Sequence, residues 1–210
     1  MKIVLLGAPG SGKGTLAGKL VDELNIPTIS TGDLLRKTAA SGTEFGNKIK
    51  ETMASGGLVS TETVLEMLKA RLGESDTKNG YILDGFPRTI EQAQLLENIA
   101  DIDACLYLDV DKDVIVDRLS GRITCRDCGK IYNSKTYKET TCECGGELYV
   151  RDDDKPEAIA IRFETYEKNT KPLIKYYQDK GILKTVKGMD DPMDTFKNAI
   201  DALDCAQKEN

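Results

Sequence analysis

The stretch that decides the reading is "KIVLLGAPGSGKGT", Lys2–Thr15. Ile3–Leu6 is a short apolar run of the kind that forms a fully buried strand. Glycines then recur at 7, 10, 12 and 14, and Leu16, Leu20 and Leu24 follow at four-residue spacing, which predicts a helix. Strand, glycine-rich turn and helix, in that order, are the context a phosphate-binding loop requires. Glycines let the backbone wrap an anion closely. Successive N–H groups and the positive end of the helix then face it, and Lys13 adds a mobile charge. Against the general pattern G-x-x-x-x-G-K-[ST], Gly14 takes the hydroxyl position and Thr15 comes one residue later. The charged start and short apolar run also look superficially like an export signal. The run is too short and leads directly into the loop, so it reads as a strand.

Outward from this stretch, "IPTIS", "YILDGF", "CLYLDV" and "ILKTV" read as further short buried strands. Helical patterns lie between them, one carried by Ile90, Ala93, Leu95, Leu96 and Ile99. The alternation predicts an α/β fold: a parallel sheet flanked by helices. Residues 31–59 and 123–155 interrupt it. The first reads as two short helices and a Gly-Gly turn. The second holds a cysteine cluster and the run "DDD". Residues 156–181 read as one helix from Pro156 to Gly181, kinked at Pro172.

The chain of 210 residues is 40% hydrophobic and 30% charged, an ordinary globular balance. No apolar run approaches the ~20 residues of a membrane helix. A net charge of −6 argues against nucleic acid or an anionic membrane as partner. With no targeting segment visible, a cytoplasmic location is expected. Histidine is absent, so the commonest general base and metal ligand are missing. Chemistry must run on Lys, Arg, Asp, Thr and backbone.

Further motifs complete the picture: "STGDLLR" (30–36), "DGFPRTIEQA" (84–93), "RLSGR" (118–122) and "RFETYEKNTKPL" from Arg162. With "GAPGSGKGT" they resemble the adenylate kinases among nucleoside monophosphate kinases, in the long form with a zinc-bearing lid. The resemblance spans almost the whole chain. It implies a P-loop NTPase-type core (1–30, 60–121 and 160–210), a helical NMP-binding insertion (31–59) and a zinc-binding lid (122–159). It also implies transfer of a phosphoryl group from MgATP to AMP, giving two ADP, by a monomer.

By resemblance, ATP lies on Gly10, Ser11, Gly12, Lys13, Gly14 and Thr15, with Arg122 on its phosphates and Arg118 also in its site. Tyr132 and Asp190 lie near its base. AMP meets Thr31, Arg36, Gly57, Leu58, Val59, Gly85, Phe86, Pro87, Arg88 and Gln92. Arg151 and Arg162 reach the transferring phosphoryl group and the acceptor AMP, and Asp84 orients the water around Mg²⁺. Lys13, Arg88, Arg122, Arg151, Arg162 and Asp84 are thus the catalytic set. Transfer between two polyanions needs positioning and charge neutralisation more than a base, and Arg binds phosphate bidentately while staying charged. A plainer reading sits beside several of these. Thr89 and Gln92 form a T-x-x-Q capping box, Thr31 and Asp33 are cap-type residues, and Arg118 and Arg122, four apart on an expected helix, face one ligand or solvent.

"CRDCGKIYNSKTYKETTCEC", Cys125–Cys144, is C-x₂-C-x₁₃-C-x-C. In a reducing compartment, paired cysteine doublets point to metal rather than disulfides. Cys125, Cys128, Cys142 and Cys144 make a full tetrahedral set for structural Zn²⁺. The second doublet is one residue short. Cys144 precedes "GGELY" as the last ligand of related lids does, so Cys142 is the ligand that spacing specifies least. Cys105 and Cys205 read as core or chance. Alternatives are a UMP/CMP or GMP kinase, a P-loop GTPase switch, which lacks its N-K-x-D motif here, and a zinc-ribbon nucleic-acid binder, which the acidity disfavours.

Overall fold

The computed structural model describes residues 1–207, with side chains through Asp204. Cys205 therefore lies outside the described side chains. Strand β1 (Lys2–Leu6) runs into helix α1 (Lys13–Leu24), followed by β2 (Thr28–Ser30). Helices α2 (Thr31–Ala39), α3 (Glu44–Ala54) and α4 (Thr61–Leu72) come before β3 (Tyr81–Asp84). Then follow α5 (Ile90–Glu97), β4 (Ala104–Asp109) and α6 (Lys112–Ser120). Short strands β5 (Arg122–Cys125), β6 (Ile131–Asn133) and β7 (Leu148–Tyr149) form a separate antiparallel sheet in the order β6-β5-β7. The chain closes with α7 (Pro156–Thr165), α8 (Pro172–Asp179), β8 (Leu183–Lys187) and α9 (Pro192–Gln207).

The five strands read from the sequence are the five strands of the main sheet. They pair in parallel in the order β2-β3-β1-β4-β8. Val4 stands opposite Leu83 on one side and Cys105 on the other. Successive side chains of β1 enter opposite faces, as the pleat requires. Val4 and Leu6 pack with Leu83, Phe86, Leu96 and Leu173. Ile3 and Leu5 pack with Leu16, Leu20 and Leu106 beneath α1 and α9. Both faces are covered, which is why the central strands β1, β3 and β4 are mostly apolar and do not alternate, whereas edge strand β8 carries Lys184, Thr185 and Lys187.

Three sequence expectations need correction. Arg118 is on α6, but Arg122 lies beyond Gly121 and opens β5, so the two do not share a helix face. The helix expected over 156–181 keeps helical backbone from Pro156 to Asp179, and the irregularity expected at Pro172 takes the form of a π turn, Tyr166–Thr170, between α7 and α8 rather than a simple kink. Pro172 opens α8, where its missing N–H costs least. Thr31 and Asp33 do not cap α2. Ser30 does, its hydroxyl accepting from the Asp33 N–H at 3.2 Å. Among the described residues no helix is long and apolar enough to cross a membrane.

Leu20 has no exposed surface. Leu20→Ala should cost about 2–5 kcal/mol by lost burial and the cavity left behind, read as a lower denaturant midpoint at unchanged slope. A loss under 1 kcal/mol would show that α1 is not anchored through this residue.

Candidate active site

The carboxyl ends of β1, β2 and β3 lead into the segments that carry the motifs, at the edge where an open α/β sheet places its ligands. They open on one cavity of about 1140 Å³. That exceeds the usual ~300–1,000 Å³ of a small-molecule site and accommodates two substrates. Its walls include Lys13, Arg36, Asp84, Arg88, Arg118, Arg122, Arg151 and Arg162.

The loop after β1 is shaped by glycine. Gly10 has φ +82°, and a Cβ there would lie 2.6 Å from Leu119. Gly12, at φ +100°, caps α1 with no side-chain bond, leaving the first-turn amides free for a ligand. The Lys13 ammonium donates to the carbonyls of Gly7 at 2.8 Å and Ala8 at 2.9 Å. Burial pushes its pKa down to about 8; Asp84 opposes this, and Arg88, Arg162 and Arg122 add to it. Arg118 bridges the carbonyls of Ser11 (3.2 Å) and Met189 (2.9 Å). It thereby ties the phosphate loop to the exposed segment holding Asp190, which also lines the cavity.

On the other side, Arg88 Nε donates to the Gly85 carbonyl at 2.7 Å. Arg36 donates to Asp33 Oδ1 at 2.6 and 3.2 Å. Burial works against the Asp33 carboxylate, but Arg36 overcomes it and holds the pKa below the usual range. Thr31 Oγ1 reaches the Asp84 carbonyl at 3.4 Å. Gln92, 3% exposed, accepts from the Arg88 N–H at 2.8 Å and donates to Thr61 at 3.4 Å. Only half of a capping box is present: Thr89 accepts from the Gln92 N–H, and Gln92 turns to Arg88. Thr31 and Gln92 border a smaller void of about 20 Å³ with Val59 and Val64. Gly57, Leu58, Gly85 and Pro87 line the main cavity. Phe86 does not: it is 1% exposed and belongs to the hydrophobic core.

Two carboxylates that sequence reasoning left unused organise the arginines. Asp154, its side chain fully buried, accepts two bonds from Arg122, one of them at 2.7 Å, and one from Arg162 at 2.9 Å. Asp153 pairs with Arg162 at 2.8 Å. Arg151, 7% exposed, donates to Thr124 at 3.0 Å. Burial first, then neighbouring charges, lower the pKa of Arg88, Arg162 and Arg151, the last to about 10. Guanidinium stays charged at neutral pH, so the shifts express first the cost of burying these charges and then repulsion within the cluster, which Asp153 offsets at Arg162. The "DDD" run was the available signal: acids bordering several arginines are natural counter-ions.

The short antiparallel sheet brings the four cysteines together. Their sulfurs all lie within 4.8 Å of one another, with Cys125–Cys144 at 3.6 Å and Cys128–Cys142 at 3.5 Å. A tetrahedron with Zn–S of about 2.3 Å needs sulfurs about 3.8 Å apart, so the set fits zinc. Cys142 belongs to it despite the short doublet. The Tyr132 hydroxyl lies 3.2 Å from the Cys142 sulfur, and its ring stacks on Tyr137 at 4.0 Å. Tyr132 thus borders the cavity with its hydroxyl turned to the thiols. That hydrogen bond leads the causes that bring the Cys142 thiol down to about 6. Cys105, fully buried in β4, is remote in role.

The sequence model of the family described as "Adenylate kinase" matches residues 5–182. Curated proteins of the same name are similar over nearly their full lengths. That of Thermodesulfovibrio yellowstonii is 49% identical, with 97% of this chain and 98% of the relative covered. That of Lachnoclostridium phytofermentans is 46% identical over the same shares, and that of Caldicellulosiruptor saccharolyticus is 47% identical over 97% and 99%. A phosphate loop and an arginine-lined cavity at the edge of a parallel sheet, matched along nearly the whole chain, place this protein in the adenylate kinase family.

Proposed function

We propose that the cavity holds ATP and AMP together and that the chain moves the terminal phosphoryl group of MgATP to AMP, reversibly, giving two ADP. The observation that carries this reading is the convergence of Lys13 with Arg36, Arg88, Arg122, Arg151 and Arg162 on one cavity. Gly10–Thr15 and the start of α1 receive the donor phosphates. Lys13 leaves its own loop carbonyls and follows the migrating group. Arg36 and Arg88 hold the acceptor phosphate. Arg122, Arg151 and Arg162 neutralise the charge that develops between the two substrates. Gly57, Leu58, Val59, Thr31 and Gln92 border the acceptor base. Arg118 and Asp190 border the donor base, with Tyr132 at the edge of that side. Asp84, at the end of β3, is placed to hold the water shell of Mg²⁺, which supplies charge neutralisation at the phosphates when bound.

The division into core (1–30, 60–121, 160–210), acceptor insertion (31–59) and lid (122–159) fits this reading. The insertion and the lid-side segment meet over the cavity: a Cβ on Gly56 would lie 2.8 Å from the Ala158 carbonyl. Closure excludes the water that would otherwise take the phosphoryl group. Cys125, Cys128, Cys142 and Cys144 hold one structural Zn²⁺. We further propose a cytoplasmic monomer.

A coupled assay with ATP and each monophosphate tests the reaction. AMP should be phosphorylated far faster than UMP, CMP or GMP; equal UMP turnover would sink the acceptor assignment. Lys13→Met and Arg88→Ala should each lower turnover by about 10²–10³-fold with the fold intact, and near-normal rates would remove them from the mechanism.

The free enzyme needs Lys13 protonated. With its pKa near 8, kcat/KM for ATP should fall as pH rises through about 8. Turnover at saturation should resist the change, because bound phosphate retains the proton. A kcat/KM profile flat well above that pH contradicts the assignment.

Metal analysis of reduced protein should find close to one zinc per chain. Cys128→Ser should destabilise the lid first and leave low-temperature activity nearly intact. Zinc-free wild-type protein, or a folded but inactive Cys128→Ser variant, would refute a structural metal site.

A further inference from the structure

The π turn between α7 and α8 is closed by the Lys171 N–H on the Tyr166 carbonyl, 2.9 Å away. Such turns have poorer backbone geometry than an α-helix and are often found at functional sites. Pro172 explains part of the break, because it has no N–H to continue the ladder. It does not explain where Thr170 points. A threonine inside a helix ordinarily bonds the carbonyl four residues back. Here that carbonyl, on Tyr166, is taken by Lys171. The Thr170 hydroxyl, 9% exposed as a residue, instead donates 2.9 Å to the Arg88 carbonyl, 82 positions away in sequence.

Arg88 lies in the loop between β3 and α5, where no strand or helix ladder fixes its peptide. Its N–H is held by Gln92 at 2.8 Å and its carbonyl by Thr170. Its side chain is held at Nε by the Gly85 carbonyl at 2.7 Å. Thr170 also lines the cavity, and its helix segment begins with α7, which carries Arg162. We propose that Thr170, aimed by the π turn, is a positioning residue: it fixes the Arg88 peptide, so that the Arg88 guanidinium stays on the acceptor phosphate, in register with Arg162 on the transferring phosphoryl group. The inference rests on the phosphate-binding role given to Arg88 above.

The test compares Thr170→Val, which keeps shape and deletes the hydroxyl, with Thr170→Ser, which keeps the hydroxyl. Thr170→Val should lower kcat/KM for AMP about threefold to tenfold, the equivalent of one neutral hydrogen bond. KM for ATP should hold, and Thr170→Ser should restore most of the loss. The cycle is completed with Arg88→Ala. In that background Thr170→Val should cost nothing more, since the group it positions is gone. Unchanged constants in a folded Thr170→Val enzyme would overturn the inference. So would a loss that Thr170→Ser does not rescue, or one that persists undiminished beside Arg88→Ala. If Thr170→Val does not fold, Thr170→Ser and Thr170→Ala are read in the same cycle. A near-normal Arg88→Ala enzyme defeats the role assigned to Arg88 itself and this inference with it. Full dependence on Arg88 without dependence on Thr170 defeats this inference alone.

Discussion

Like charge held at close quarters is the constraint on which the structure depends. Arg151 is buried and Arg88 and Arg162 are half-buried beside Lys13, and each is disfavoured there by desolvation and by like-charged neighbours. Buried charge costs free energy unless it is paired or hydrogen-bonded. The molecule meets that cost locally, with Asp153, Asp154 and backbone carbonyls. The rest is left for a ligand carrying several negative charges. A phosphate chain supplies them, and the sheet order determines where they arrive. Strands β1, β2 and β3 end at one edge, so the loop, Ser30–Arg36 and Asp84–Arg88 converge there without any long connection.

The lid follows a different physical rule. Its sheet has three strands, none longer than four residues. A unit so small buries too little apolar surface to hold itself together. In the proposed function a metal held by the four sulfurs replaces the missing interior, since metal binding to such a set is itself folding free energy. The lid therefore keeps its form while its inner surface stays polar, with Arg122 and Arg151 turned to the cavity.

The main sheet was legible because both its faces are buried: its central strands are short apolar runs, and glycines punctuate them. The phosphate loop was legible because its backbone demands glycine at Gly10 and Gly12. What escaped the sequence depends on partners far away in the chain. Nothing local distinguishes the Gln92 amide that grips Arg88 from one that caps a helix. Phe86 sits inside a ligand-binding motif, yet its side chain belongs to the core. The π turn needs Lys171 to choose one carbonyl over another, a difference no periodicity records. Gly121 follows the end of α6 between Arg118 and Arg122, and Arg122 pairs into β5, so the two share no helix face.

Asp154 has one further consequence. Arg122 and Arg162 share a carboxylate that solvent cannot reach. An incoming phosphate does not meet bare cations; it displaces or shares an internal anion. Its net gain is a difference between two ion pairs, well below the full attraction of the arginines. In the proposed site, Asp154 would compete with phosphate for these two arginines. Reversible transfer needs that leniency, because a site that gripped polyphosphate with its full charge would keep it.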